Sequence, residues 1–189
     1  MARREKPPEP TPGTLLIAAA SLWDDNFART VVLICEHRQE GSFGLVLNRR
    51  LKHMLSDARD DFHGFDAPLY KGGPVQENTL HLLHRRADLD IGSVEVMPGV
   101  FWGGDFGKLT AWLKFNRPDP DEFRFFVGYS GWGQGQLASE IKRDDWYLTP
   151  GEPQTIFAPE PTNLWRATLR TLGPSYRVVA TFPDDPRLN

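Results

Sequence analysis

The residues whose types and spacing could do chemistry lie in Gly128-Tyr-Ser-Gly-Trp-Gly-Gln-Gly-Gln136. Glycines at 128, 131, 133 and 135 allow positive φ and let a ligand or a second backbone come close. The segment after them, Gln136 to Lys142, favours helix, and a helix start offers unpaired N–H groups to an anion or carbonyl. Gly128-Tyr-Ser130-Gly-Trp132 invites comparison with the Gly-x-Ser-x-Gly nucleophile elbow of hydrolases. That elbow needs glycine two residues after the serine, and Trp132 stands there. No Gly-Lys-Ser/Thr ending completes a P-loop, and Gln136 occupies the place of the third glycine of a dinucleotide fingerprint. What the pattern supports is a glycine-rich turn: main chain of Gly131, Gly133, Gln134 and Gln136, walled by Tyr129 and Trp132. The competing reading is purely structural, with glycines permitting tight packing and Trp132 filling core.

Two further loops carry similar features. Gly72-Gly73-Pro74 ends an apolar run, and Asn48-Arg49 closes another. Arg49 can give charge-assisted bonds to a carboxylate or phosphate. If these loops converge with the Gly128–Gln136 turn at one rim of a sheet, they form a pocket for a small ligand. The enzyme alternative is a hydrolase using Ser130, His37 and Glu36. Metal binding is not expected: Cys35 with His37 makes only two ligands, and His81 and His84 face opposite ways on a strand. No cofactor is expected either. Basic clusters at Arg49-Arg-Leu-Lys52 and His84-Arg-Arg86 head no helix-turn-helix pattern.

The chain has 189 residues, one large domain or two small ones, and enough to bury a real core. With 22 Lys and Arg against 25 Asp and Glu, the net charge is −3, which argues against a general nucleic-acid binder. One cysteine excludes an intrachain disulfide and a Cys-based zinc site. No apolar run is long enough to span a membrane, and the first ten residues lack the apolar core of a signal peptide. A cytoplasmic binding or regulatory module is expected, with a small molecule or a protein as its partner.

The elements that must position these residues follow from periodicity. Residues 1–12, with four prolines and five charges, are expected as a disordered tail, and 13–189 as one domain. Strands are expected at Thr14–Ala20, Thr30–Glu36, Phe43–Asn48, Pro68–Lys71, Thr79–His84, Ser93–Met97 and Val100–Trp102. Later strands are expected at Phe123–Val127, Trp146–Thr149, Gln154–Phe157 and Tyr176–Phe182. One helical turn fits Ser21–Ala28, and short helices fit Leu51–Asp60, Phe106–Asn116 (capped by Asp105) and Gln136–Lys142. The best-signalled helix is capped by Thr162 or Asn163, has Leu164, Trp165, Thr168, Leu169 and Leu172 as its inner stripe, and stops at Gly173-Pro174. Strands outnumber helices and short loops join them, which favours α+β with a mixed, mostly antiparallel sheet.

Together, Leu15-Leu-Ile-Ala18, Phe27-Ala-Arg-Thr-Val-Val32, Cys35-Glu-His37, Gly44-Leu-Val-Leu-Asn48, Gly72-Gly-Pro-Val75 and Gly128-Tyr-Ser-Gly-Trp-Gly133 resemble the YqgE/AlgH family of bacterial proteins. Gly135-Gln-Leu137, Trp146, Ile156-Phe157, Trp165 and Leu172-Gly173 extend the resemblance over roughly residues 13 to 175. It implies a single α+β domain with a curved or barrel-like sheet flanked by helices. It also implies the family's transcriptional-regulator label, which rests on a proposed role in alginate production. No catalytic residues come with it. The chain departs from the family pattern at Ala19-Ala20 (usually Met-Pro), at Arg50 (usually proline) and at Ser130 (commonly alanine). A family that places alanine at Ser130 cannot depend on a serine nucleophile there.

Overall fold

Apolar runs too short for membrane spans but buried on both faces demand a sheet covered on two sides. The computed structural model, which describes residues 9–183, has that form. Ten strands make the sheet: β1 (Thr14–Ala18), β2 (Val31–Arg38), β3 (Gly41–Val46), β4 (Arg50–Met54), β5 (Pro68–Lys71), β6 (Val75–His84), β7 (Val94–Met97), β8 (Val100–Trp102), β9 (Phe123–Gly133) and β10 (Trp146–Pro150). Six short helices accompany them: α1 (Leu55–Ala58), α2 (Phe106–Leu113), α3 (Gln136–Lys142), α4 (Pro153–Ile156), α5 (Leu164–Thr171) and α6 (Pro174–Val179). The strand order is β10-β1-β2-β3-β9-β6-β8-β7, with β4 pairing β5 and β5 pairing β9. Every pairing is antiparallel except β5 with β9. This is a single α+β domain whose mixed sheet curls into a half-barrel.

Alternation sorts the core. Leu15, Ile17, Leu33 and Leu45 point to the face covered by Ile156, Trp165 and Leu169 of α4 and α5. Leu16, Val32 and Ile34 point to the other face, where α3 contributes Leu137 and Ile141 beside Trp132 and Trp146. A third cluster joins Phe123 and Phe125 of β9 to Leu109 of α2 and to Phe62 and Phe65 from the segment between α1 and β5. Burial pushes the Cys35 thiol well above the usual cysteine range, so it is an unreactive core group.

Several expectations need correction. The strand containing the glycine stretch does not turn at Gly128; β9 runs through to Gly133, and only Gln134-Gly135 turns into α3. Leu51–Asp60 is divided: Leu51–Met54 belongs to β4, whose Arg50 and Met54 pair with Tyr70 and Pro68, and the expected helix is confined to Leu55–Ala58. Strand pairing outcompeted the local helical spacing. Gln154–Phe157 is helix α4, begun by Pro153 in the first helical position. Tyr176–Phe182 is mostly helix as well. The inward residues are Tyr176, Val179 and Ala180, while Val178 is 63% exposed, a spacing of three and four rather than two. Neither Thr162 nor Asn163 caps α5 by a side-chain bond; a 3₁₀ turn over Pro161–Asn163 leads into it. Asp105 does cap α2, accepting from Lys108 N at 2.9 Å. Of the expected N-terminal tail, residues 1–8 lie outside the described residues, while Pro10 is buried and Thr11 accepts from Thr14 N.

Candidate functional site

Alternation on β9 decides which site residues meet solvent. Tyr129 and Gly131 face one side of the strand, and Ser130 and Trp132 face the other. On the open side, Tyr129 stacks on Phe43 of β3 with ring centroids 4.6 Å apart and planes 22° apart. His81 and Trp102 abut the same Phe43 ring at 5.2 and 4.7 Å. Burial lowers the His81 pKa, so its ring is neutral at pH 7. Of these rings Phe43 and Tyr129 border an open groove of about 600 Å³, which Glu36, Arg38, Val75, Gly131 and Trp132 also line.

Ser130 and Trp132 are core residues. Ser130 is fully buried and its Oγ donates to Gly72 O at 3.1 Å. His37 instead bonds Ser42 Oγ across the β2–β3 hairpin at 2.7 Å, so the Ser130–His37–Glu36 constellation is not assembled. Trp132 Nε1 and Trp146 Nε1 both donate to Glu140 Oε2, at 2.8 and 2.9 Å. Gln136 Nε2 donates to Glu140 Oε1 at 3.0 Å, and Gln136 Oε1 accepts from Gly133 N at 3.1 Å. Gln136 and Trp132 therefore tie α3 to the sheet through Glu140, a residue the sequence reading missed. The available signal was a carboxylate four residues from Gln136 and six from a second tryptophan.

The remaining candidates also have defined places. Gly72 and Gly73 lie against Gly128 and Tyr129, main chain to main chain. Pro74, half-buried, leads into β6. Asn48 is a buried clamp: Oδ1 accepts from Val31 N at 2.9 Å and Nδ2 donates to Arg29 O at 2.8 Å. Arg49 donates to Ala28 O at 2.6 Å and lines a crevice of about 60 Å³ with Gly73. Asn48 and Arg49 also line a second cavity, about 310 Å³, with Arg29, Arg166 and Trp165. Gly133, Gln134 and Gln136 are exposed and line none of these three cavities. The glycine loops thus meet, but the space between them is filled by backbone, and the candidates divide between the groove and the Arg49 side.

Elsewhere, His84 is fully buried between Phe101 and Phe123. Its Nδ1 accepts from Arg86 N, which leaves Nε2 to donate to Ser93 Oγ at 2.8 Å. Burial pushes its pKa from 6.5 down to about 4. The unfolded chain therefore binds the proton more tightly, so this contribution is complete above about pH 6.5 and is lost as pH falls toward about 4. Half-exposed Ser93 admits some solvent screening, so about 2 kcal/mol is expected. Urea unfolding across this window should show that loss in the wild type and a flatter profile in His84→Phe. Of the basic clusters, Arg86 is paired with Asp88 at 2.7 Å and Glu122 at 3.1 Å. Among the described residues no group of three His, Cys, Asp or Glu side chains could hold a metal, and no helix is long and apolar enough to cross a membrane.

A curled, mostly antiparallel half-barrel with an open aromatic groove defines the protein class, and comparison with known proteins places it further. The model of the AlgH-like family matches residues 15–177. UPF0301 proteins of Chlorobium luteolum and Cytophaga hutchinsonii are 44% and 37% identical, over 94% and 95% of this chain and 94% and 99% of theirs. A crystal structure of a Corynebacterium diphtheriae protein superposes with TM-score 0.80 at 26% identity, covering 93% of this chain and 94% of that one. The solution structure of Pseudomonas aeruginosa AlgH gives TM-score 0.73 at 26% identity, covering 94% and 98%. The chain belongs to the AlgH-like family.

Proposed function

We propose that this protein is a non-catalytic binding module of regulatory type, taking a small ligand with a planar ring in the Phe43–Tyr129 groove. The observation that carries the reading is the stacked pair itself: two half-buried rings 4.6 Å apart opening on about 600 Å³, within the usual size of small-ligand sites. Tyr129 and Gly131 belong to the glycine stretch, and Glu36 and Arg38 supply rim charge of both signs. A planar ring gains by stacking on such a surface. Full burial of Ser130 favours binding over acyl-transfer chemistry. The ion pairs of Arg86 weigh against direct DNA reading. A cytoplasmic setting is part of this proposal and suits a buried, reduced Cys35.

Titration with indole and with adenosine monophosphate, followed by backbone-amide NMR, tests the proposal. One of the two is expected to shift Phe43, Val75, Tyr129 and Gly131 together, and Tyr129→Ala should weaken that binding about tenfold or more. Shifts confined to other surfaces, or binding unchanged in Tyr129→Ala, would overturn it. The same titration with duplex DNA separates the regulator-by-contact alternative.

A further inference from the structure

Another cavity, which shares no lining residue with the groove, holds charges of both signs. It is small, about 160 Å³, and Tyr70, Arg124, Arg50, Asp66 and Asp121 contribute to its wall. Arg124 of β9 is only 4% exposed. Its guanidinium sits 4.9 Å over the Tyr70 ring and donates to Leu47 O (3.4 Å) and Ala158 O. Among the described residues it forms no ion pair within 4.0 Å, and neither do Arg50, Asp66 and Asp121. Tyr70 is 3% exposed, yet its hydroxyl has no hydrogen-bond partner among the described residues and is not sealed from solvent. Arg124 is thus a buried cation bonded to carbonyls but to no carboxylate, and beside it the Tyr70 hydroxyl reaches solvent with its donor uncommitted. A ligand carboxylate entering the cavity would accept from both the guanidinium and the phenol. Burial lowers the Arg124 pKa, and Tyr70 and Asp121 oppose that shift, consistent with their proximity.

The two aspartates determine what kind of carboxylate fits. With Arg50 and Arg124 balancing Asp66 and Asp121, the wall offers both signs of charge and favours a molecule that carries an ammonium group as well as a carboxylate over a dianion such as phosphate. A volume well below that of ordinary ligand sites admits only a few heavy atoms. We propose that this pocket binds a small free amino acid, its carboxylate on Arg124 and Tyr70 and its ammonium on the Asp66–Asp121 side.

The test is amide NMR and calorimetry on the full chain with glycine, L-alanine, acetate, methylamine and inorganic phosphate. Glycine or alanine should shift the amides of Tyr70, Asp121 and Arg124 and bind more tightly than acetate or methylamine, with phosphate weakest. Tyr70→Phe, which keeps the ring packing, should weaken amino-acid binding about tenfold. Asp121→Asn with Asp66→Asn should weaken glycine while leaving acetate unchanged or tighter. Amino acids that bind no better than acetate, phosphate that binds best, or no movement of these amides at millimolar concentrations would overturn the proposal.

Discussion

Gly73→Ala is expected to destabilise the protein by at least about 4 kcal/mol, enough to prevent folding in a marginally stable domain. A Cβ at Gly73 would collide with Tyr129 C, Tyr129 O and Ser130 N, and its φ of +154° is itself strained for an L residue. All three opposing atoms are main chain of the central strand, so no side chain can move aside to relieve the overlap. Gly72→Ala separates the two causes. Its φ is ordinary, yet a Cβ would meet Gly128 O and, at 3.0 Å, Leu45 Cδ2, so a comparable loss is expected from sterics alone. Gly128→Ala completes the set, since its Cβ would lie 2.7 Å from Gly73 O. By contrast Gly135, with φ +72° and open space around it, should lose only about 1 kcal/mol as alanine. Urea unfolding followed by circular dichroism measures all four. Equal small losses at Gly73 and Gly135 would show that the close approach of the two backbones is not what these glycines secure.

Glu140→Ala is expected to cost about 3 kcal/mol. One carboxylate oxygen accepts from both Trp132 and Trp146, and the other accepts from Gln136. Hydrogen bonds to a charged acceptor contribute about 1.5–3 kcal/mol each, and removing the acceptor leaves buried donors unpaired. Trp132 and Trp146 are each only 4% exposed, so water is a poor replacement for the lost acceptor. Glu140→Gln keeps an amide oxygen and should recover roughly half of the loss. Tryptophan fluorescence should shift in both variants because the indole N–H environment changes. If Glu140→Ala unfolds at the wild-type urea midpoint, α3 is held by Leu137 and Ile141 packing alone.

The places where local pattern and tertiary structure part company have a common cause. Tyr176-Arg-Val-Val-Ala180 can be read with period two or period three to four, and both readings bury apolar groups. The helix forms because Gly173 and Pro174 set up a helical start and Tyr176 finds Tyr147, at 5.0 Å, across from it. Leu51–Met54 has acceptable helical spacing, but the main chain of β5 is available to pair with it. Where a segment had one self-consistent periodicity, as in Val31–Cys35 or Leu164–Leu169, the expected element and its buried residues are those observed.

By itself the amino-acid sequence determined the family, the α+β class, the mostly antiparallel sheet and the inner stripe of the last large helix. These depend on local periodicity and short-range motifs. Tertiary structure alone decided what the glycines do, because Gly72 and Gly73 meet Gly128 and Tyr129 only after β5 pairs with β9 in one particular register. The same long-range pairing turned Ser130 and Trp132 inward, set Phe43 against Tyr129, and brought Tyr70 beneath Arg124. Which side chains share a cavity is fixed by strand register and sheet curvature, and neither can be read from spacing along the chain.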